Sequence, residues 1–165
     1  MGRALLLLSG FLTAVILDQA SKGLMTHILE AGKVIRLAPF ANLVLVRNPG
    51  ISFGMFADIV GVYPLMASAL KIIVVAILLV LGAKGRTSRD AAAFSVLAGG
   101  AAGNILDRIR NGAVTDFIDL HAAGWHWPAF NLADVFILTA AAMLVTSHRS
   151  PPPPHPDRHE PKNVS

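Results

Sequence analysis

Asp116 and Asp134 stand at the borders of apolar runs. Two carboxylates brought together in a dry setting cannot both ionise easily. One is pushed to keep its proton while the other stays charged. Such a pair supplies a base that activates water and an acid that protonates a leaving amine, with no covalent intermediate. The plain alternative is helix capping. Asp134 falls about one turn inside an apolar segment, where the helix dipole favours an acid. Spacing alone leaves both readings open. The same stretch, Gly99 to Asp134, also holds Asn104, Asp107 and Asn131, although the whole chain has only ten acidic residues. Ionisable groups at membrane depth are costly, so in an apolar chain they are functional candidates by default.

Other constellations offer less. Ser68 and Lys71 share a helix face and imitate a Ser-Lys dyad, but no oxyanion donors accompany them. Ser21 and Lys22 are adjacent and point in different directions. His121 and His126 flank a Trp-rich link without a third ligand at metal spacing, and no His-Glu-x-x-His occurs. No phosphate-cradling loop is present. The chain has no cysteine, which removes thiol nucleophiles, disulfides and Cys-ligated metal from consideration.

The elements that must position these groups follow from composition. The 165 residues are 54% hydrophobic and only 15% charged, with mean hydropathy +0.60. A soluble domain of this length carries about 25% charge. Much of the surface is therefore expected to face lipid, and the net charge of +4 reads as membrane topology and not as nucleic-acid binding. Four apolar runs predict spans over about 4–24, 62–83, 90–109 and 130–147, each near the 20 residues a bilayer needs. The first could be a secretory signal, but Gln19-Ala20-Ser21-Lys22 is a poor cleavage context and further spans follow. Asp18 and Lys22 share a helix face with the acid N-terminal to the base. They make either a structural ion pair or a wall of a site. Gly99 and Gly103 form a small-residue face for close helix approach. Residues 33–57 hold short β-favouring runs broken by Pro39 and Asn48-Pro49-Gly50, which predicts a small antiparallel sheet outside the bilayer core. Residues 150–165 form a Pro-rich tail, expected to be disordered, after a single membrane domain over 1–149.

Four spans put both termini on one side. Arg3, Lys84, Arg86, Arg89, Arg149, Arg158 and Lys162 fall there, while Lys33, Arg36, Arg47 and Arg110 fall opposite. The positive-inside rule places the termini in the cytoplasm. Asp18, the β segment, Asp116 and Asp134 then lie at the outer face.

Five blocks now stand in order: Asp18-Gln19-Ala20-Ser21-Lys22, Asn48-Pro49-Gly50-Ile51-Ser52-Phe53-Gly54, Gly99 to Arg108, Gly112-Ala113-Val114-Thr115-Asp116-Phe117, and Phe130-Asn131-Leu132-Ala133-Asp134. With four spans, they resemble the prolipoprotein signal peptidases, the signal peptidase II family of bacterial inner membranes, over nearly all of residues 3–148. The resemblance implies an all-α membrane protein of four transmembrane helices, a small outer antiparallel β-cradle and a short outer amphipathic helix, for which residues 33–57 and 117–128 are the candidates. It implies an aspartic endopeptidase with Asp116 and Asp134 as the catalytic pair. Asn48, Gly50, Asn104, Arg108 and Asn131 would line or support the site, with Asp18, Lys22 and Asp107 as structural neighbours. The implied substrate is a prolipoprotein carrying diacylglyceryl on its Cys, cut just before that Cys at the periplasmic face. No metal or cofactor is implied, globomycin is the implied inhibitor, membrane lipids the surroundings, and a monomer the expected state. The other class compatible with the acids is a small non-enzymatic carrier subunit that uses them as proton relays, which would spread acids over several depths.

Overall fold

The computed structural model describes residues 2–29, 32–49 and 64–147. Gly50, the rest of the Gly50 to Gly54 block, and the tail from residue 150 lie outside the described residues. In chain order the elements are α1 (Arg3–Ile28), β1 (Ile35–Ala38), β2 (Ala41–Asn48), α2 (Pro64–Lys84), α3 (Ser88–Asn111), β3 (Val114–Ala122), β4 (Trp125–His126) and α4 (Leu132–Ser147).

The helices occupy the four apolar runs. α3 packs against each of the other three, and its sequence explains why it is central. Its hydropathy is the lowest because it carries Arg89, Asp90, Asp107, Arg108 and Arg110, and between them Gly, Ala and Ser stand where large aliphatics would. Ala91, Ala93, Ser95, Ala98, Gly99, Gly100 and Gly103 are buried, and small side chains let helix backbones approach. A Cβ on Gly99 would sit 2.7 Å from the Phe11 carbonyl oxygen of α1, and one on Gly100 would sit 2.8 Å from that of Ala133 in α4. The outward faces are apolar. Leu8 and Ile16 of α1, Leu70 and Ile73 of α2, and Leu138 of α4 are all exposed. An apolar patch of this extent marks a surface that meets lipid or another protein. Among the described residues, α1 is the helix long and apolar enough to cross a membrane. Its 26 residues span about 39 Å at the usual helical rise.

At one end lies an antiparallel sheet in the order β1-β2-β3-β4. The shift in register between Leu43 and Val46 sets Val46 opposite Asp116 and Asn48 opposite Val114. Here the structure corrects one expectation. Residues 117–128 do not form an outer helix: β3 runs on to Ala122 and turns back into β4. The reason is local. Val114, Thr115, Phe117 and Ile118 favour the pleated surface. Ala123 and Gly124 then take φ of 49° and 81°, the pair of positive φ values that a two-residue hairpin turn requires.

The tight helix contacts give a test with opposite signs. Gly100→Ala is expected to destabilise by about 1–3 kcal/mol, because the new methyl meets backbone and not a side chain that can swing away. Gly23→Ala has open space around it and is expected to raise stability by about 0.5–1 kcal/mol. Thermal unfolding of both variants in detergent checks this. A Gly100→Ala variant as stable as the parent would contradict the packing described.

Candidate active site

The site forms where the sheet meets the first turn of α4. Asp107 is buried near the end of α3, beside the left-handed cap residue Gly112. Its carboxylate accepts a hydrogen bond from the Thr115 backbone N–H at 2.8 Å. That bond fixes the start of β3 and so the position of the next residue, Asp116. Across the sheet, Asn48 Nδ2 donates to Asp116 Oδ2 at 3.0 Å. Asn131 Nδ2 donates to Asp116 Oδ1 at 2.6 Å.

Asn131 and Asp134 close a reciprocal cap on α4. The Asp134 N–H donates to Asn131 Oδ1, and the Asn131 N–H donates to Asp134 Oδ2, both at 3.1 Å. This is the capping-box geometry, which satisfies two helix-end donors at once. Asp134 therefore caps the helix and also keeps its Oδ1 for the site, where Asn104 Nδ2 donates to it at 3.0 Å. Asn131 donates to Asn104 Oδ1 at 3.1 Å as well as to Asp116. The two carboxylates are thus held through one shared asparagine.

Asp18 and Lys22 stand directly behind this arrangement. Their ion pair measures 2.8 Å and is almost fully buried, at 0% and 3% exposure. Asp18 Oδ1 also accepts from the Ala133 N–H at 3.0 Å, securing the first turn of α4. Lys22 Nζ donates to Asn104 Oδ1 at 2.7 Å and lies 3.5 Å from Asp107. An ammonium can only donate. It therefore turns the Asn104 carbonyl toward itself and the Asn104 amide hydrogens toward Asp134. The pair is both a structural salt bridge and a wall of the site.

Burial pushes the Asp116 carboxyl above its ordinary range, and the nearby Asp134 adds to this, against the hydrogen bonds from Asn48 and Asn131. Asp134 stands in the first turn of α4. A cavity of about 890 Å³ opens onto both acids. Asn48, Asn104 and Arg108 supply its polar wall, and Val46, Val74, Phe130, Ile137 and Leu138 are among its apolar lining.

A family model described as signal peptidase (SPase) II matches residues 11–149. The chain belongs to the signal peptidase II family. A lipoprotein signal peptidase of Anaplasma phagocytophilum is 43% identical over 121 residues, covering 73% of this chain and 77% of that one. One from Serratia marcescens is 38% identical over 144 residues, covering 87% and 84%. A solved structure described as a bacterial membrane enzyme, determined at 1.9 Å by the in meso method, superposes with a TM-score of 0.73 at 25% identity, covering 88% of this chain and 94% of that one.

In this signal peptidase II chain the fold gathers Asp18, Lys22, Asn48, Asn104, Asp107, Arg108, Asp116, Asn131 and Asp134 at one end of the bundle. Arg108 lines the cavity and lies within electrostatic reach of Asp116, Asp134 and Asp107. The rival histidines stay apart, while Lys71 lines the cavity. Ser68 has no described side chain. His121 stacks on His126 with ring centroids 5.0 Å apart, on the outer hairpin. Asp119 is held there by Asn42 at 2.9 Å and His126 at 2.8 Å. Burial works against its charge, but these two bonds outweigh it and hold its carboxyl below the ordinary range. Two contributors were not visible in the sequence, and a third, Lys71, could not be placed from it. Lys71 reaches the cavity from α2, Gln19 bonds both Asp18 and the Gly103 carbonyl, and Arg47 bonds the Thr115 hydroxyl at 2.6 Å. Only the packing of separate elements brings these residues in.

Proposed function

We propose that this chain is a membrane aspartic endopeptidase that removes signal peptides from diacylglyceryl-modified prolipoproteins, cutting just before the lipidated Cys. The observation that carries this reading is the bridging of Asp116 and Asp134 by Asn131 at the floor of a mostly apolar cavity. With Asp116 holding the proton, Asp134 takes a proton from water as that water attacks the scissile carbonyl. Asp116, buried and protonated, gives its proton to the carbonyl oxygen, which forms a gem-diol. As the diol collapses, one hydroxyl returns a proton to Asp116, the C–N bond breaks, and Asp134 passes the proton taken from water to the leaving amine, which restores the pair. Arg108 offsets the negative charge that develops nearby. The apolar walls suit a signal peptide and acyl chains entering from lipid.

In this reading residues 1–149 are one membrane domain of four spans in the bacterial inner membrane. Both termini are cytoplasmic and the site lies at the periplasmic face, as the distribution of Lys and Arg supports. The chain works as a monomer without metal or cofactor, and globomycin inhibits it.

The test is cleavage of one prolipoprotein with and without its diacylglyceryl group by purified protein, across pH. Rapid cleavage of the lipidated form and slow cleavage of the other is expected. Because the Asp116 carboxyl is raised, its proton is retained above about pH 3.9, the ordinary value. Activity therefore falls on the alkaline side as that proton leaves, and on the acid side as the pair takes up a second one. The limbs of this bell belong to the pair. The stability contributed by Asp116 follows the same sign: complete below the ordinary value and lost as pH rises through the raised one. A rate independent of pH, or equal cleavage of both substrates, would refute the reading.

A further inference from the structure

Lys71 is a charged residue in the cavity wall for which neither the fold nor the proposed chemistry has a use. It projects from α2, two turns below the helix start, and lines the same cavity as the aspartates. Among the described residues its ammonium has neither a hydrogen bond nor an ion pair, and Arg108 lies close enough to repel it. Arg108 in turn stands in the field of Asp116 and Asp134. Lys71 and Arg108 therefore share one cavity with the aspartate pair. Beside Lys71 the wall is Val74, with Ile137 and Leu138 of α4 also lining the cavity. Leu138 is 74% exposed, so this part of the cavity wall reaches the outer surface. A half-buried cation set next to another cation costs free energy unless an acceptor arrives.

We propose that Lys71 is a positioning residue for substrate specificity: beside Arg108, it receives the ester carbonyl oxygens of the lipid group on the substrate. This rests on the reading of a diacylglyceryl-bearing substrate. The ester oxygens are the acceptors that lie between the acyl chains and the peptide. Held at the mouth by Lys71, they leave the acyl chains on the apolar wall and place the preceding peptide bond over the aspartates. The same ester-bearing lipid chemistry occurs in membrane phospholipids, so the experiment separates the two sources. A Lys that only extends its head toward the membrane surface is a further outcome.

The experiment compares the parent, Lys71→Met and Lys71→Arg on a diacylglyceryl prolipoprotein and on its dialkyl ether analogue, in neutral vesicles and in vesicles containing phosphatidylglycerol. Lys71→Met is expected to raise KM for the ester substrate about tenfold, the usual loss of a charge-assisted hydrogen bond, with kcat changed less than about twofold. Lys71→Arg should restore KM. The ether analogue should raise the KM of the parent by a similar factor and leave Lys71→Met no worse. Unchanged KM in Lys71→Met would mean surface extension only. An equal loss on ester and ether substrates would show that the carbonyls are not what Lys71 holds. A loss found only in phosphatidylglycerol vesicles would assign the site to a phospholipid. Each of these overturns the proposal while parental cleavage of the lipidated substrate keeps the underlying reading intact. Failure of the parent to cleave it would overturn both.

Discussion

Asp116→Asn and Asp134→Asn are each expected to lower single-turnover cleavage of a diacylglyceryl prolipoprotein by about 10³-fold or more, the scale of losing one member of a catalytic unit. Asparagine keeps the shape of aspartate and its hydrogen-bonding capacity, but cannot exchange a proton as acid or base. The folded body should tolerate both changes. An asparagine at position 116 can still accept from Asn131 Nδ2 through its amide oxygen, and one at position 134 can still accept from the Asn131 N–H. The double variant should be little worse than either single one, because the two acids act as one unit. Asp119→Asn should have a far smaller effect. Asp119 bonds Asn42 and His126 on the outer hairpin and does not line the cavity. Serine reagents and chelators should leave the rate unchanged. Substantial cleavage by either Asn variant removes that residue from the pair and returns attention to Ser68 and Lys71.

Lys22→Ala should be the most damaging single change to the folded body, at about 3–5 kcal/mol, the usual cost of removing one partner of a buried ion pair. Against a typical total of about 5–15 kcal/mol, that decides whether much folded protein survives. Asp18 would be left with no exposed surface and no cation. Asn104 would lose the donor that fixes its orientation, so activity should fall further than stability alone accounts for. Asp18→Asn added to Lys22→Ala removes the stranded charge. It keeps an oxygen for the Ala133 N–H, so the double variant should recover part of the lost melting temperature. Recovery of stability without full recovery of cleavage separates the two roles of Lys22. A double variant melting no higher than Lys22→Ala would disprove the charge-pair account.

Local pattern was enough to determine much of this protein. Runs of apolar residues at bilayer length are legible one at a time, so the four helices follow from the sequence. The pairing of Asp18 with Lys22 is also local, since one helical turn separates them. The Gly99 and Gly103 face announces a close helix contact because no side chain can stand there. The five ordered blocks named the family and its candidate acids. Tertiary structure decided what those acids touch. The capping and catalytic readings of Asp134 competed in the sequence, yet its two oxygens serve separate partners, one at the helix end and one toward Asn104. The outer helix expected over 117–128 became a hairpin, because β2 offered β3 an edge to pair with and Ala123-Gly124 could turn. Lys71 could not be placed from its own segment. Whether a lysine within an apolar helix faces lipid or a cavity depends on where the next helices pack, and that is settled by residues far away in the chain.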